Sequence, residues 1–393
     1  MKPTVCINQI AMVKNLYELG FTDFIISSYS FSKTGDLSLA VCAELIAEIR
    51  MYNLEPIFDW DCLLTQAEFD QKVKDFKRFH GQNHLKRIRV QDFGVARFLK
   101  ENYPEIKLHL NLEQGHRNRL TIRNWTDYFG AQCERVVLSS ELTREQLLEI
   151  RKNLSVPCEL LTLGRILLFY SPRPLLASFF QRNSDQEAVI EAQACSEESP
   201  HKGFLLHENP LASLMYHPKD QCLLDRLPQL DEIAIDYGRI DLRHIESTAQ
   251  LWQLLSQIIF DQQEDIYPDF LKHYPREVLR GFFQANKTDV IFKRLKNQRL
   301  VPKNPNYLGR VMDSLSKKSF AFLLEANRSI SAPCQLEIHQ PQGKVNILKV
   351  DKILNSSRQQ ITCAHPLSLV VIPCHLTLAA QSRVYLVEDF NDS

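Results

Sequence analysis

Arg87-Ile88-Arg89-Val90-Gln91-Asp92-Phe93-Gly94-Val95-Ala96-Arg97-Phe98-Leu99-Lys100-Glu101-Asn102-Tyr103-Pro104-Glu105-Ile106-Lys107-Leu108-His109-Leu110 carries the fold in miniature. A short β-rich piece, Arg87–Val90, is followed by a helical stretch through Arg97-Phe98-Leu99-Lys100, which Pro104 ends, and a second β-rich piece begins at Lys107. Proline stops a helix because it lacks an N–H and its ring clashes with the preceding turn. Strand, helix, strand is the unit of parallel sheets, since two parallel strands need a crossover between them.

The same alternation runs through the first 260 residues. Expected strands are Thr4–Asn8, Asp23–Ser27, Glu55–Asp59, Arg87–Val90, Lys107–Leu110, Arg135–Leu138, Glu159–Leu163 and Glu232–Asp236. Thr65-Gln66-Ala67-Glu68 and Thr143-Arg144-Glu145-Gln146 are capping boxes, able to satisfy free N–H groups at a helix start. Gly20, Gly81 and Gly130 sit where helices are expected to stop in the left-handed conformation. Eight such units predict an α/β fold with a (β/α)₈ barrel-like body over residues 1–260, closed by a helix at His244–Phe260.

One connection breaks the rhythm. Residues 164–231 form an insertion after the seventh strand, part of it (Asn183–Ser199) polar and acidic, with Asp185, Glu187, Glu191, Glu197 and Glu198. An insertion there follows a strand's C-terminal end, the face on which barrel sites form, and long loops at that face tend to carry function. Residues 261–304 read as a linker, basic at its end: Lys287, Lys293, Arg294, Lys296, Arg299 and Lys303 against Asp289. From Tyr307 the pattern shortens to alternating runs at Leu308–Met312, Phe320–Glu325, Gln335–His339, Lys344–Val350, Leu369–Ile372 and Val384–Val387, with a tight turn at Gln340-Pro341-Gln342-Gly343. These predict a small C-terminal all-β, barrel-like domain over 305–393.

Composition narrows the function classes. Lys plus Arg and Asp plus Glu balance at 47 each, so whole-chain charge selects no partner, and no run reaches the ~18 apolar residues of a membrane span. Ten dispersed cysteines do not form the disulfide framework of a small secreted domain; reduced thiols in a cytoplasm are the expectation. No G-x-S-x-G, H-E-x-x-H, Walker loop, G-x-G-x-x-G or C-x-x-C occurs, which removes the usual hydrolase, zincin, nucleotide and zinc-ribbon signatures.

The segment Glu159-Leu160-Leu161-Thr162-Leu163-Gly164-Arg165 through Ser178 resembles the signature of the peptidase U32 family, the collagenase-like peptidases. Further segments agree in order: Val90-Gln91-Asp92-Phe93-Gly94, Arg135-Val136-Val137-Leu138 with Glu141-Leu142-Thr143, Cys222-Leu223-Leu224-Asp225-Arg226-Leu227-Pro228-Gln229-Leu230, Gly238-Arg239, Arg280-Gly281-Phe282, and Ala364-His365-Pro366 near the end. Several members of that family resemble oxygen-independent hydroxylation factors acting on transfer RNA, ribosomal RNA or a quinone precursor, with a four-iron four-sulfur cluster on four cysteines. Thiolates suit such a cluster because soft sulfur holds its iron.

The resemblance puts Leu167 and Pro174 at the first two ligand positions, with Cys195 near the third and Cys222 on the fourth; Leu163 stands where the family often has His before Gly. Cys158 lies too early in the pattern. Leucine and proline cannot ligate iron, so no bound cofactor is expected; the alternative is a four-iron four-sulfur cluster using Cys195 and Cys222, which otherwise read as ordinary buried thiols.

Other candidates come from position and charge. Gln91, Asp92 and His109 fall at or near strand C-termini and either line a pocket or cap strand ends, His109 leaning towards function. The run Lys72–Arg89, including Lys77, Arg78, Lys86 and Arg87, together with Lys293 and Arg294, either contacts RNA phosphates or forms solvated faces. The sequence thus implies a relative of the RNA hydroxylation factors with an incomplete cluster set, acting as a non-catalytic member or as partner to a cluster-bearing paralogous subunit. Alternatives are a collagenase-like peptidase using the barrel-mouth residues, or an accessory protein of quinone hydroxylation.

Overall fold

The computed structural model describes residues 1–180, 189–195, 203–284, 304–341 and 343–387. Its strands in chain order are β1 (Lys2–Ile7), β2 (Phe24–Ser27), β3 (Ile57–Trp60), β4 (Arg87–Val90), β5 (Lys107–Asn111), β6 (Cys133–Val137) and β7 (Cys158–Ser171), then β8 (Ile190–Ala194), β9 (Phe204–Asn209) and β10 (Ala212–Cys222) of the insertion, and β11 (Tyr237–Asp241). β1 to β7 pair in parallel in that order. β11 pairs in parallel with both β1 and β7, which closes an eight-stranded barrel.

Helices α1 (Ile10–Glu18), α2 (Leu39–Met51), α3 (Gln66–Asn83), α4 (Phe93–Asn102), α5 (Arg119–Phe129) and α6 (Arg144–Arg151) follow β1 to β6. Both expected capping boxes form, at Thr65/Glu68 and Thr143/Gln146. Gly20 and Gly130 take positive φ just after α1 and α5. Gly81 does not end its helix: α3 runs on to Asn83, and His84 takes the left-handed turn instead.

Side chains alternate along each barrel strand, so every second residue points outward against the helices. The outward set is apolar and buried, with Val5, Ile26, Phe58, Trp60, Ile88, Val90, Leu108, Leu110 and Val136 in one continuous core. The inward set is largely polar: Thr4, Asp23, Asp59, Arg89, His109, Arg135, Glu159 and Arg239 are all buried.

Two boundaries differ from expectation. Residues 232–236 are not the eighth strand, because Leu227–Ile233 winds as α8, with Pro228 in its first turn and Leu230 and Ile233 buried at helical spacing. Ala234 then turns left-handed, and β11 begins at Tyr237. The seventh strand does not stop near Leu163 but continues to Ser171. At Gly164, φ is +147°, and a Cβ there would meet the Asp241 carbonyl oxygen at 3.0 Å. Beyond it the strand leaves the ring and pairs antiparallel with β10, Ser171 opposite Ser213, to which β9 and β8 add as a meander. The short helix α7 (Leu175–Phe179) follows β7. Of the acidic tract 183–199, only residues 189–195 are described.

After α9 (Ala249–Phe260) the chain does not become a bare linker. α10 (Tyr267–His273) buries Phe270, and β12 (Val278–Leu279) pairs in parallel with Asp220 and Gln221 of β10. Tyr274 Oη donates to Asp220 Oδ2 at 2.8 Å. The compact units run Met1–Ile291 and Phe292–Ser393. In the second, the six expected strands form, at Tyr307–Leu315, Ser319–Leu324, Cys334–His339, Val345–Val350, Leu369–Pro373 and Arg383–Leu386, all antiparallel in one sheet. Val311, Phe320, Phe322, Leu336 and Ile338 are among its core residues.

Candidate functional site at the barrel mouth

The inward polar side chains stack in layers. Deep in the barrel, Glu159 of β7 receives Arg135 (Nη1 to Oε2, 3.0 Å) and a close contact from Arg89 Nη2, while Arg239 Nη1 stands 3.6 Å from it. Arg135 also reaches Asp23 at 2.8 Å and Thr4 Oγ1 at 3.1 Å. Burial alone would raise the Glu159 carboxyl, but the Arg89, Arg135 and Arg239 charges outweigh it and hold it down at about 2.

His109 belongs to the layer near the strand N-termini, not to the mouth. It is fully buried, and its Nε2 lies 2.7 Å from Glu134 Oε2. Burial pushes the imidazole down to about 4, helped by Arg135 and Arg87 and only partly opposed by Glu134. It is therefore neutral, donating Nε2–H to the carboxylate, while Nδ1 has no hydrogen-bond partner among the described residues. Arg87 is in the same layer, bound to Asp23 at 2.9 Å and Glu134 at 3.0 Å, so it is not a free phosphate contact.

At the C-terminal ends of the strands lies a cavity of about 410 Å³, within the ~300–1,000 Å³ of small-molecule sites. Its floor is polar: Asp59 and Asp61 at the end of β3, Arg89 and Gln91 at the end of β4, Asn111 and Glu113 at the end of β5, Arg239 and Asp241 on β11. The outgoing half of β7 (Leu167, Leu168, Phe169, Tyr170) and Tyr216 of β10 add an apolar wall. Thus the insertion covers the mouth. Asn209 of β9 ties it down, its Nδ2 donating to the carbonyls of Ser32 (2.9 Å), Lys33 (3.2 Å) and Gly35 (3.0 Å).

Strand alternation separates the neighbours Gln91 and Asp92. Gln91 points in, is buried and accepts from the buried Lys33, whose Nζ also donates to Gln114 at 3.1 Å and lies 3.5 Å from Asp61. Asp92 instead caps α4, accepting from Val95 N at 3.0 Å and Leu64 N at 3.4 Å.

Sequence reasoning missed Asp59 and Asp61, although Phe58-Asp59-Trp60-Asp61 shows the alternating acids. Ser32 Oγ lies 3.0 Å from Asp59 Oδ2 and 2.9 Å from Asp61 Oδ1, so one hydroxyl faces both carboxylates. Ser27 Oγ donates to Asp59 Oδ2 at 3.1 Å, and Asp59 Oδ1 has no hydrogen-bond partner among the described residues. Burial and the neighbouring Asp61 charge push the Asp59 carboxyl up to about 7. A buried carboxyl poised near neutrality on a cavity floor is able to give or take a proton.

The cysteine positions do not fit a four-iron cluster. Leu167 lies in the cavity wall and Pro174 precedes α7, and neither supplies a donor. Cys222 is sealed in the core with Tyr267 Oη 3.7 Å from its sulfur, and burial pushes its thiol up to about 11. Cys195, just after β8, is exposed and so not the buried thiol expected, because it follows the last residue of the strand that the meander packs. Lys77, Arg78 and Lys86 are exposed, Arg78 lying 3.4 Å from Asp75 and Lys86 3.6 Å from Glu55. Lys293 and Arg294 lie outside the described residues.

A model of peptidase family U32 matches residues 10–291. The tRNA hydroxylation protein P2 of Bacillus subtilis (strain 168) is 29% identical over 161 residues, 38% of this chain and 49% of that protein. An uncharacterized protease of Methanocaldococcus jannaschii is 23% identical over 242 residues, 57% of this chain and 56% of that one. The chain spans about half the length of these two curated relatives. A solved U32 peptidase aligns over 63% of this chain and 94% of its own, with TM-score 0.38 and 9% identity. Among the described residues, no helix is long and apolar enough to cross a membrane.

Proposed function

The chain belongs to peptidase family U32, and on that premise we propose that it serves tRNA hydroxylation in the cytoplasm as a member without its own iron–sulfur centre, partnering a cluster-bearing relative. Two features support this reading together. A relative is a tRNA hydroxylation protein, and two of the four positions that the resemblance assigns to cluster ligands are Leu167 and Pro174. The observation that carries it is the mouth cavity: its polar floor, covered by the insertion, offers a small-ligand site, with Leu167 in its wall where the resemblance would put a cluster thiolate.

The test is deletion of the gene in its host, with hydroxylated tRNA nucleosides measured by mass spectrometry and the tagged chain used to recover partners. Loss of the modification, restored by the wild-type gene, together with recovery of a four-cysteine relative, is the expected result. Unchanged tRNA nucleosides would overturn the proposal.

A hydrolytic reading has one observation in its favour, the proton-poised Asp59 on the cavity floor. It predicts cleavage of peptides or denatured collagen that Asp59→Asn abolishes. No cleavage by the purified chain across a broad peptide panel rejects it.

A further inference from the structure

The insertion and the barrel bring three metal-ligating side chains together at the edge of the mouth cavity. Glu191 comes from β8, His207 from β9, and His244 from the segment after β11, where it also lines the cavity. Glu191 Oε1 lies 3.3 Å from His244 Nδ1 and 3.7 Å from His207 Nδ1. One ligand atom from each residue lies within 4.8 Å of the other two.

A second observation concerns His207 alone. It is fully buried, yet among the described residues neither ring nitrogen has a partner within hydrogen-bond distance, the Glu191 oxygen standing beyond it at 3.7 Å. Buried polar atoms in that state are rare in folded proteins, and a bound ion is one of the things that satisfies them.

We propose that Glu191, His207 and His244 bind one divalent transition-metal ion, zinc by preference. Zinc bonds of about 2.0–2.2 Å put neighbouring tetrahedral ligand atoms roughly 3.3–3.5 Å apart. The Glu191–His244 separation already matches, and the Glu191–His207 separation needs only a small adjustment. Two imidazoles and one carboxylate are borderline donors; they favour zinc and its first-row neighbours over magnesium or calcium, which take all-oxygen sets. Three protein ligands leave a fourth position for water or a ligand, the pattern of reactive rather than structural zinc sites. Arg165 Nη1 stands 3.6 Å from the same Glu191 oxygen and also lines the cavity. With a metal in place it acts as an outer partner that orients the carboxylate.

The proposal is independent of the tRNA reading, because its readout is metal binding. The full chain, stripped with a chelator, is titrated with Zn²⁺ by calorimetry and with Co²⁺ by visible absorption. The expected result is one tightly bound equivalent and ligand-field bands of a low-coordinate cobalt site. Glu191→Gln and His244→Ala should each weaken binding by at least about 100-fold, since even outer-shell partners cost about 10–100-fold. Glu191 is exposed, so Glu191→Gln should keep the wild-type melting temperature in the absence of metal, separating ligand loss from misfolding. The proposal fails if no stoichiometric Zn²⁺ binds, or if binding survives both substitutions. It fails equally if Cys195→Ser, and not Glu191→Gln, removes the metal.

Discussion

Arg239 grips Glu113 across the barrel mouth, its Nη2 lying 2.8 and 2.6 Å from the two carboxylate oxygens. The pair links β11 to the end of β5 and sets one edge of the cavity floor. Glu113→Gln leaves the Arg239 charge poorly compensated. Urea denaturation should show a loss of about 2–3 kcal/mol, below the ~3–5 kcal/mol of a fully sealed pair because Glu113 is partly exposed. Adding Arg239→Met should recover part of it, since removing both charges leaves none unpaired.

Asp59 gives stability a slope with pH. The native carboxyl keeps its proton up to about pH 7, whereas the unfolded chain releases it near 3.8. Between those values the native state holds the extra proton, so stability falls as pH rises through that window. Asp59→Asn should remove this slope and raise stability at pH 8 by an amount on the order of a few kcal/mol, measured by urea melts across pH.

His109 contributes a slope of opposite sign. Its native imidazole resists protonation down to about pH 4, while the unfolded one protonates near 6.5. The unfolded state therefore gains protons first on acidification, and stability drops as pH falls from 6.5 to 4. His109→Gln should lose that acid sensitivity; a variant as acid-labile as wild type would reject the assignment of a neutral buried imidazole.

The two cysteines nearest the family's cluster positions should differ sharply in reactivity. Cys195 is exposed, while Cys222 is sealed and its thiol is pushed up to about 11. Mass spectrometry after brief alkylation of the native protein should find label on Cys195 and none on Cys222, which should react only after denaturation.

Basic residues of α3 and the adjoining strand should separate into binding and structural classes. If tRNA binds the exposed face, Lys77→Glu with Arg78→Glu should weaken binding several-fold and flatten its salt dependence without changing the melting temperature. Arg87→Ala should act the other way, lowering thermal stability by several degrees, because it opens the Asp23 and Glu134 pairs.

The barrel was legible because its repeat is local. Alternation, capping at Thr65 and Thr143, and the helix stop before Pro104 each depend on residues a few positions apart. Errors arose where two local patterns competed. Leu230 and Ile233 suit either a strand or a helix, and burial at helical spacing decided for α8. His109 shares the inward register of Asn111 and Glu113, but sits one layer below the mouth they line.

By itself the sequence determined which side chains face the barrel axis, because period two along Lys107-Leu108-His109-Leu110-Asn111-Leu112-Glu113 sends apolar groups to the helices and polar groups inward. Only the tertiary structure decided which inward groups meet. Arg239 finds Glu113 and Asp23 finds Arg135 through ring closure, and Glu191 and His207 reach His244 because the insertion folds back over the mouth. Those encounters depend on strand register and on the bend at Gly164, which bring together residues far apart in the chain.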